Sequence, residues 1–183
     1  MITRYLSRIV AGSTLPALLG IALAACADAP AAAGRIQPGD VVPAYAAVSL
    51  AGDSVSLASL RGRPLLLNVW ATWCPPCREE MPALEALHTK YAPAGLQVVG
   101  VSIDGAGVAD LVGEFVQEFG VTFAILHDPG NRISRTFHMN GVPETLLIDA
   151  NGRLVRRWIG IFDPTTDETR TLLERTLQPT APS

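Results

Sequence analysis

A near-continuous apolar run, Pro64-Leu65-Leu66-Leu67-Asn68-Val69-Trp70, ends just before the segment Trp73-Cys74-Pro75-Pro76-Cys77. Such a run predicts a central strand that is covered on both faces. We expect a helix to begin within the Cys-Pro-Pro-Cys segment and to reach about residue 91, with a kink at Pro82. Its buried stripe is marked at helical spacing by Met81, Leu84, Leu87 and Tyr91. A buried strand that leads straight into a helix indicates an α/β fold.

The remainder of the chain from Val41 onward predicts alternating strands and helices. Strands are expected at 46–50, 54–57, 96–103, 122–126, 145–148 and 154–161, the last two joined as a hairpin across Asn151-Gly152. Helices are expected at 108–119, with Gly120 as C-cap, and at 132–137. Asp163 followed by Pro164 predicts the N-cap and first residue of a last helix that ends near residue 177. The order indicates a mixed sheet, parallel at its beginning and antiparallel at its end.

The first 25 residues have the pattern of an export signal. Arg4 and Arg8 precede a largely apolar run over residues 9–25. The run ends in Leu23-Ala24-Ala25-Cys26, which resembles the lipobox of bacterial lipoproteins. That resemblance implies cleavage before Cys26 and attachment of a diacylglycerol to its thiol. Ordinary cleavage after Ala22-Leu23-Ala24 and a retained anchor are the alternatives, and all three place the folded part outside the cytoplasm.

The chain therefore divides into four parts. We expect a signal peptide at 1–25, a lipidated tether rich in Ala, Pro and Gly at 26–40, one folded domain at 41–178 and a short tail at 179–183. The formal charge of −3 is small and no basic residues cluster, which argues against a nucleic-acid partner. A monomer is expected.

The cysteine count limits what the motif can do. If Cys26 is lipidated, only Cys74 and Cys77 remain as thiols, so the domain has one possible internal disulfide. In an oxidising compartment this pair is a structural bridge or a redox centre. A zinc site needs about four ligands, and the three histidines lie in separate segments. We therefore expect no metal and no cofactor, and the position of the motif between strand and helix favours the redox centre.

The two cysteines are expected to have unequal roles. Cys74 lies where the first N–H groups and the dipole of the helix stabilise a thiolate, whereas Cys77 lies one turn further along and is shielded. Cys74 would attack the disulfide of a partner and form a mixed disulfide. Cys77 would then attack Cys74 and release the reduced partner.

Two separated motifs resemble one protein family. Residues 68–82, Asn-Val-Trp-Ala-Thr-Trp-Cys-Pro-Pro-Cys-Arg-Glu-Glu-Met-Pro, are similar to the active-site segment of the TlpA/ResA/CcmG-like thioredoxins. Residues 141–149, Gly-Val-Pro-Glu-Thr-Leu-Leu-Ile-Asp, are similar to their second signature. The resemblance implies a thioredoxin fold, a three-layer α/β/α arrangement around a mixed sheet, with an N-terminal β extension and an αβ insertion near 108–119.

The resemblance also implies a docking surface beside the cysteines. It implies a cis peptide bond before Pro143 and pairing of the Val142 backbone with an extended substrate strand. The surface implied in this way comprises Trp73, Pro75, Pro76, Val142 and Pro143. The alternative for Trp73 is an ordinary core aromatic, and the alternative for Pro143 is an unremarkable proline at the start of a strand.

A departure from ordinary thioredoxins concerns proton transfer. They carry a buried aspartate where this chain has Asn68, and in the ResA-like branch a glutamate three residues after the second cysteine is implicated instead. Glu80 matches that position, so the resemblance implies a buried carboxyl with a raised pKa that exchanges a proton. The alternative is that Glu79 and Glu80 are first-turn acids that complement the helix N-terminus. Glu144 is expected either in the substrate groove or as an exposed loop acid.

The function favoured by these features is reduction of disulfides in selected exported proteins. In relatives the clients include apocytochrome c and copper-site assembly proteins, and electrons come from a membrane donor of the DsbD or CcdA type. The alternatives are a disulfide oxidant or isomerase, and a non-catalytic chaperone that binds client or metal. A peroxidase of the peroxiredoxin type is disfavoured because Thr72 stands two residues, not three, before Cys74. The two-residue spacing of the cysteines argues against a copper chaperone of the Sco type, which uses C-x-x-x-C with a histidine.

Overall fold

The computed structural model describes residues 34–178, which form a seven-stranded mixed sheet with four α-helices. The strands are β1 (Ala46–Ser49), β2 (Ser54–Ser56), β3 (Leu65–Trp70), β4 (Gln97–Ser102), β5 (Ala124–His127), β6 (Glu144–Ile148) and β7 (Leu154–Ile159). The helices are α1 (Pro75–Tyr91), α2 (Ala109–Glu118), α3 (Arg132–Phe137) and α4 (Asp167–Leu177).

The sheet is covered on both faces, as the apolar run at its centre predicts. Its strand order is β2-β1-β5-β4-β3-β6-β7, and all six residues of the central strand β3 are buried. Apolar side chains of α1, α2 and α4 fill one face, whereas α3 and the N-terminal segment fill the other. The expected three-layer α/β/α arrangement is confirmed, with the β1–β2 hairpin as the N-terminal extension.

Strand direction brings several chain segments to one edge of the sheet. β3 is parallel to β4, and β4 is parallel to β5, so these three strands end at the same edge. β6 is antiparallel to β3, with Val69 opposite Glu144, and therefore begins at that edge. β7 is antiparallel to β6 and ends there. The Cys-Pro-Pro-Cys segment, which follows β3, lies at this edge too.

The start of the last helix differs from the prediction. Thr166, not Asp163, is the N-cap of α4, and its side chain accepts a hydrogen bond from the Thr169 N–H. Asp163 accepts hydrogen bonds from the backbone N–H (2.8 Å) and the hydroxyl (2.6 Å) of Thr165. These bonds form a local turn that competes with the helix, so the helix begins later than predicted. The second predicted strand also ends early, because residues 57–60 form a 3-10 turn.

The folded domain begins before Val41. Ile36 is buried in the same apolar cluster as Ile133 and Phe137 of α3. The Gly39 N–H donates to the Leu154 carbonyl at 2.7 Å, and the Arg153 guanidinium donates to the Gly39 carbonyl at 2.8 Å. These contacts place residues 36–40 with the domain, not with the predicted tether. The predicted signal peptide and Cys26 lie outside the described residues, and within 34–178 no helix has the length and apolar character needed to cross a membrane.

Candidate active site

Cys74 and Cys77 form a disulfide at the start of α1, with their Cα atoms 5.3 Å apart. Cys74 is the N-cap of the helix, and its Sγ atom accepts a hydrogen bond from the Cys77 N–H at 3.3 Å. Pro75 and Pro76 occupy the first helical positions, where a missing N–H leaves no bond unmade. Cys74 retains 4% exposure and Cys77 none, so a partner that approaches from solvent meets the sulfur of Cys74 first.

Glu80, one turn after Cys77 on α1, carries a deeply buried carboxyl, with only 2% of the residue exposed. One oxygen accepts a hydrogen bond from Asn68 Nδ2 at 2.7 Å, and the other accepts one from the Phe162 N–H at 2.8 Å. Burial raises the pKa of Glu80 to about 7, although both hydrogen bonds act in the opposite direction. A carboxyl with this pKa accepts or donates a proton near neutral pH.

Asn68 explains how Glu80 is held. Its amide lies within β3 and is fully buried, and Nδ2 also donates to Thr145 Oγ1 on β6 at 3.0 Å. The amide thus connects the carboxyl to the centre of the sheet. Glu79, the neighbouring acid, is more accessible to solvent and lies on a different side of the helix.

Trp73 lies immediately before Cys74 and is 64% exposed, so it is not a core aromatic. The tryptophan of β3, Trp70, is fully buried instead and packs against Phe115 of α2, with ring centroids 4.8 Å apart. Pro75 is also exposed and Pro76 is half-buried. The surface around Cys74 therefore presents apolar groups to solvent.

The Val142–Pro143 peptide bond is cis. Pro143 immediately precedes β6, whose first residue Glu144 lies opposite Val69, so Pro143 lies at the edge of the sheet from which β3 leads to Cys74. Val142 packs against the apolar cluster that includes both cysteines. The Pro143 carbonyl accepts from the Gly160 N–H at 2.9 Å, whereas the peptide groups of Val142 bond to no other group within residues 34–178.

Several residues at this edge were not identified from the sequence. Ile159 and Ile161 flank Gly160 and are 66% and 54% exposed, which extends the apolar surface beyond the predicted docking residues. The two isoleucines alternate with Gly160 at the end of β7, and this pattern in the sequence could have indicated them. The sequence analysis also did not identify Asp104, which lies two residues after the buried strand β4 and contacts Thr72.

Glu144 is neither in a groove nor an exposed loop acid, and both expectations for it are wrong. It is the first residue of β6, is 1% exposed and accepts a hydrogen bond from Arg157 Nη2 at 2.6 Å. The same guanidinium donates to the Phe137 carbonyl at 3.0 Å. This buried pair connects β6 and β7 to the end of α3.

Within residues 34–178, no three His, Cys, Asp or Glu side chains converge in a way that would hold a metal ion.

Comparison with known proteins places this geometry in a family. Residues 38–157 match the AhpC/TSA family. The chain is 33% identical over 126 residues to the thiol-disulfide oxidoreductase ResA of Bacillus thuringiensis (strain Al Hakam), covering 69% of this chain and 72% of that protein. It is 32% identical over 148 residues to ResA of a Bacillus cereus strain, with 81% of each chain covered.

Solved structures give the same result for the fold. A Chlorobium tepidum protein assigned as the thiol:disulfide interchange protein DsbE superimposes with a TM-score of 0.71 at 28% identity, covering 78% of this chain and 99% of that one. A thioredoxin-family thiol:disulfide interchange protein of Chlorobium tepidum TLS gives 0.65 at 25% identity, covering 79% and 100%. The expected thioredoxin-like fold is confirmed. The chain belongs to the AhpC/TSA family, within which it is a thiol–disulfide oxidoreductase of the ResA type.

Proposed function

We propose that this oxidoreductase reduces disulfides of selected exported proteins outside the cytoplasm, with Cys74 as the attacking and Cys77 as the resolving cysteine. The observation that carries the proposal is the difference between the two sulfurs. Cys74 is the N-cap of α1 and retains 4% exposure, whereas Cys77 is fully buried one turn from the buried Glu80. A thiolate at a helix N-terminus is stabilised, and a shielded second thiol reacts only with its neighbour.

The proposed cycle begins with the reduced pair. The Cys74 thiolate attacks one sulfur of the client disulfide, the client S–S bond breaks, and one client cysteine leaves as a thiolate that takes up a proton from water. Cys77 then transfers its proton to the Glu80 carboxylate and attacks Cys74. The bond between Cys74 and the client breaks, the second client cysteine leaves as a thiolate that takes up a proton from water, and the two electrons that the client gains come from the pair, which ends as the Cys74–Cys77 disulfide.

Glu80 is suited to this transfer. Its pKa of about 7 means that both protonation states are populated near neutral pH. The hydrogen bonds from Asn68 and Phe162 fix both oxygens, which keeps the carboxyl in one orientation within the helix turn that follows Cys77. The neighbouring Glu79 is more accessible and has no comparable environment.

Client docking is proposed on the apolar surface around Cys74. The docking residues would be Trp73, Pro75 and Pro76, which adjoin Cys74 in the chain, together with Val142 and Pro143. The Val142 peptide groups are available for pairing with an extended client segment, in the manner of an added β-strand. The exposed Ile159 and Ile161 enlarge this surface.

Location and electron supply complete the proposal. Lipidation at Cys26 would tether the domain to the membrane, since two or three acyl chains anchor firmly. A membrane protein of the DsbD or CcdA type would re-reduce the Cys74–Cys77 disulfide after each turn. Apocytochrome c and copper-site assembly proteins are the clients that we propose, and the domain would act as a monomer.

The reduction potential of the full chain tests the direction of electron flow. We expect a value near that of thioredoxin, about −270 mV, whereas a value near that of the oxidant DsbA, about −120 mV, would overturn the reductase assignment.

Cys77→Ser tests the proposed roles of Cys74 as the attacking and Cys77 as the resolving cysteine. It should accumulate a mixed disulfide with clients through Cys74, and Cys74→Ser is the matched control that should trap none.

A further inference from the structure

Asp104 is a buried carboxylate that the proposed cycle does not use. It lies two residues after the end of β4 and is 2% exposed. Its oxygens accept hydrogen bonds from the Thr72 N–H at 3.0 and 3.2 Å, from Thr72 Oγ1 at 2.6 Å and from Ser102 Oγ at 2.7 Å. No ion pair within residues 34–178 includes Asp104. The carboxylate is therefore stabilised by neutral hydrogen-bond donors, most of which belong to Thr72 in the active-site loop.

Thr72 lies in the turn that precedes α1. Thr72 belongs to the turn closed by the hydrogen bond from the Cys74 N–H to the Ala71 carbonyl at 3.2 Å. Trp73 lies between Thr72 and Cys74, and because it is 64% exposed, core packing leaves most of its side chain unsupported. The orientation of Trp73 consequently depends on how firmly the backbone at Thr72 is held.

The backbone of Asp104 is also hydrogen-bonded to the neighbouring strands of the sheet. The Asp104 N–H donates to Ser102 Oγ at 3.2 Å, and its carbonyl lies 2.9 Å from Nε2 of His127, at the end of β5. The pairing of β3 with β4 also extends past the strand ends, because the Ile103 N–H donates to the Trp70 carbonyl at 2.9 Å. A buried carboxylate is costly to desolvate, and the cost is offset only where its hydrogen bonds are all made. Such a group makes a stiff connection between the ends of β3, β4 and β5.

We propose that Asp104 is a positioning residue that acts through Thr72 to hold Trp73 and Cys74 in the orientation required by a protein client. The inference rests on the proposed docking of clients at Trp73. A small disulfide needs only a reactive Cys74 thiolate, whereas a protein client also needs the surface beside it. Loss of the contact between Asp104 and Thr72 should therefore lower the reaction rate with a protein client more than the rate with a small disulfide. A general loss of stability does not have this unequal effect.

The test compares two disulfides with the pre-reduced full-length protein. Second-order rate constants are measured in single-turnover reactions with insulin and with 5,5′-dithiobis(2-nitrobenzoate). Asp104→Asn should lower the rate with insulin about tenfold, since a small misplacement of reacting groups is sufficient for such a loss, and should not slow the small reagent. Asn replaces one acceptor oxygen by a donor and cannot satisfy all the donors that meet Asp104.

Variants of Thr72 separate the hydroxyl contact from the rest of the network. Thr72→Val should reproduce the selective loss, Thr72→Ser should retain wild-type rates, and adding Thr72→Val to Asp104→Asn should cause little further loss, because both remove the same contact. If Asp104→Asn fails to fold, the Val and Ser variants of Thr72 still decide the question.

Asp128→Asn is the matched control. Asp128 is also a buried aspartate, 1% exposed, but it accepts hydrogen bonds from the Tyr45 hydroxyl (3.0 Å) and the Ile133 N–H (2.8 Å) and anchors α3. Its substitution should lower stability without changing the ratio of the two rates. Parallel slowing of both substrates by Asp104→Asn, an unchanged ratio, or additive effects with Thr72→Val would overturn the proposal. Failure of the proposed function has a different signature, namely that Cys74→Ser still reduces insulin.

Discussion

Replacing Glu80 by Gln should make the stability of the oxidised protein less dependent on pH. The carboxyl has a pKa of about 7 in the folded protein against an ordinary value of 4.5, and desolvation by burial is the main cause. Gln is neutral and nearly the same shape. It can accept from the Phe162 N–H and donate to Asn68 if the Asn68 amide turns, because Oδ1 of Asn68 is buried and has no partner.

The sign of the effect follows from the raised pKa. Below pH 4.5 the carboxyl is protonated in both states, so ionisation of Glu80 does not change stability. Between that pH and about 7 the unfolded chain ionises while the folded protein holds its proton, so the free energy of unfolding falls as pH rises. One pKa unit corresponds to about 1.36 kcal/mol. The penalty therefore levels off above neutral pH at about 3 kcal/mol.

The assay is urea unfolding of the oxidised protein and of Glu80→Gln at intervals from about pH 4 to about pH 8.5, a range that brackets both pKa values. Stability of the variant relative to wild type should rise by about 3 kcal/mol across this interval and then remain constant. Keeping the disulfide intact removes both cysteines from the titration. Glu79→Gln, at the more accessible neighbouring position, is the matched control variant. A flat difference for Glu80→Gln, or one that falls with pH, would refute the conclusion that burial governs this carboxyl.

Three further predictions concern the docking surface, a buried ion pair and a helix cap. Trp73→Ala should slow reduction of insulin while changing the free energy of unfolding by less than about 0.5 kcal/mol, since the side chain is mostly exposed; a large loss of stability in urea unfolding would contradict this. Arg157→Met should cost about 3–5 kcal/mol in the same measurement, because it leaves the carboxylate of Glu144 buried without its cation. Including Glu144→Gln with it should restore part of that loss. Thr166→Ala should cost about 1 kcal/mol through loss of the N-cap of α4, and Asp163→Ala should cost less, the reverse of what the sequence predicts.

The predictable part of the fold depends on local pattern. Strand β3 and helix α1 lie close to their predicted limits, because an apolar run and a helical period depend only on neighbours in the chain. The start of α4 was missed because two local signals compete there, the turn at Asp163 and the cap at Thr166. Which of the two signals begins the helix depends on the direction in which the chain leaves β7. The spacing of apolar residues in the sequence does not contain that information.

The candidate site divides in the same way. That Cys74 and Cys77 pair with one another follows from their spacing at a helix start and from the lack of other thiols in the chain after Cys26. Only the folded structure shows that Glu144 is buried against Arg157, that Asp104 holds Thr72, and that Ile159 is exposed beside the site.

The sequence by itself therefore determined the strand, the redox motif and the helix that begins at it, together with the position of Glu80 one turn after Cys77. Tertiary structure decided the environment of that carboxyl. Residue 162 is 82 positions from residue 80, and the three residues 68, 80 and 162 meet only when β3, α1 and the segment after β7 pack together. A pKa depends on burial and on partners brought from distant segments, and these are set by register and packing.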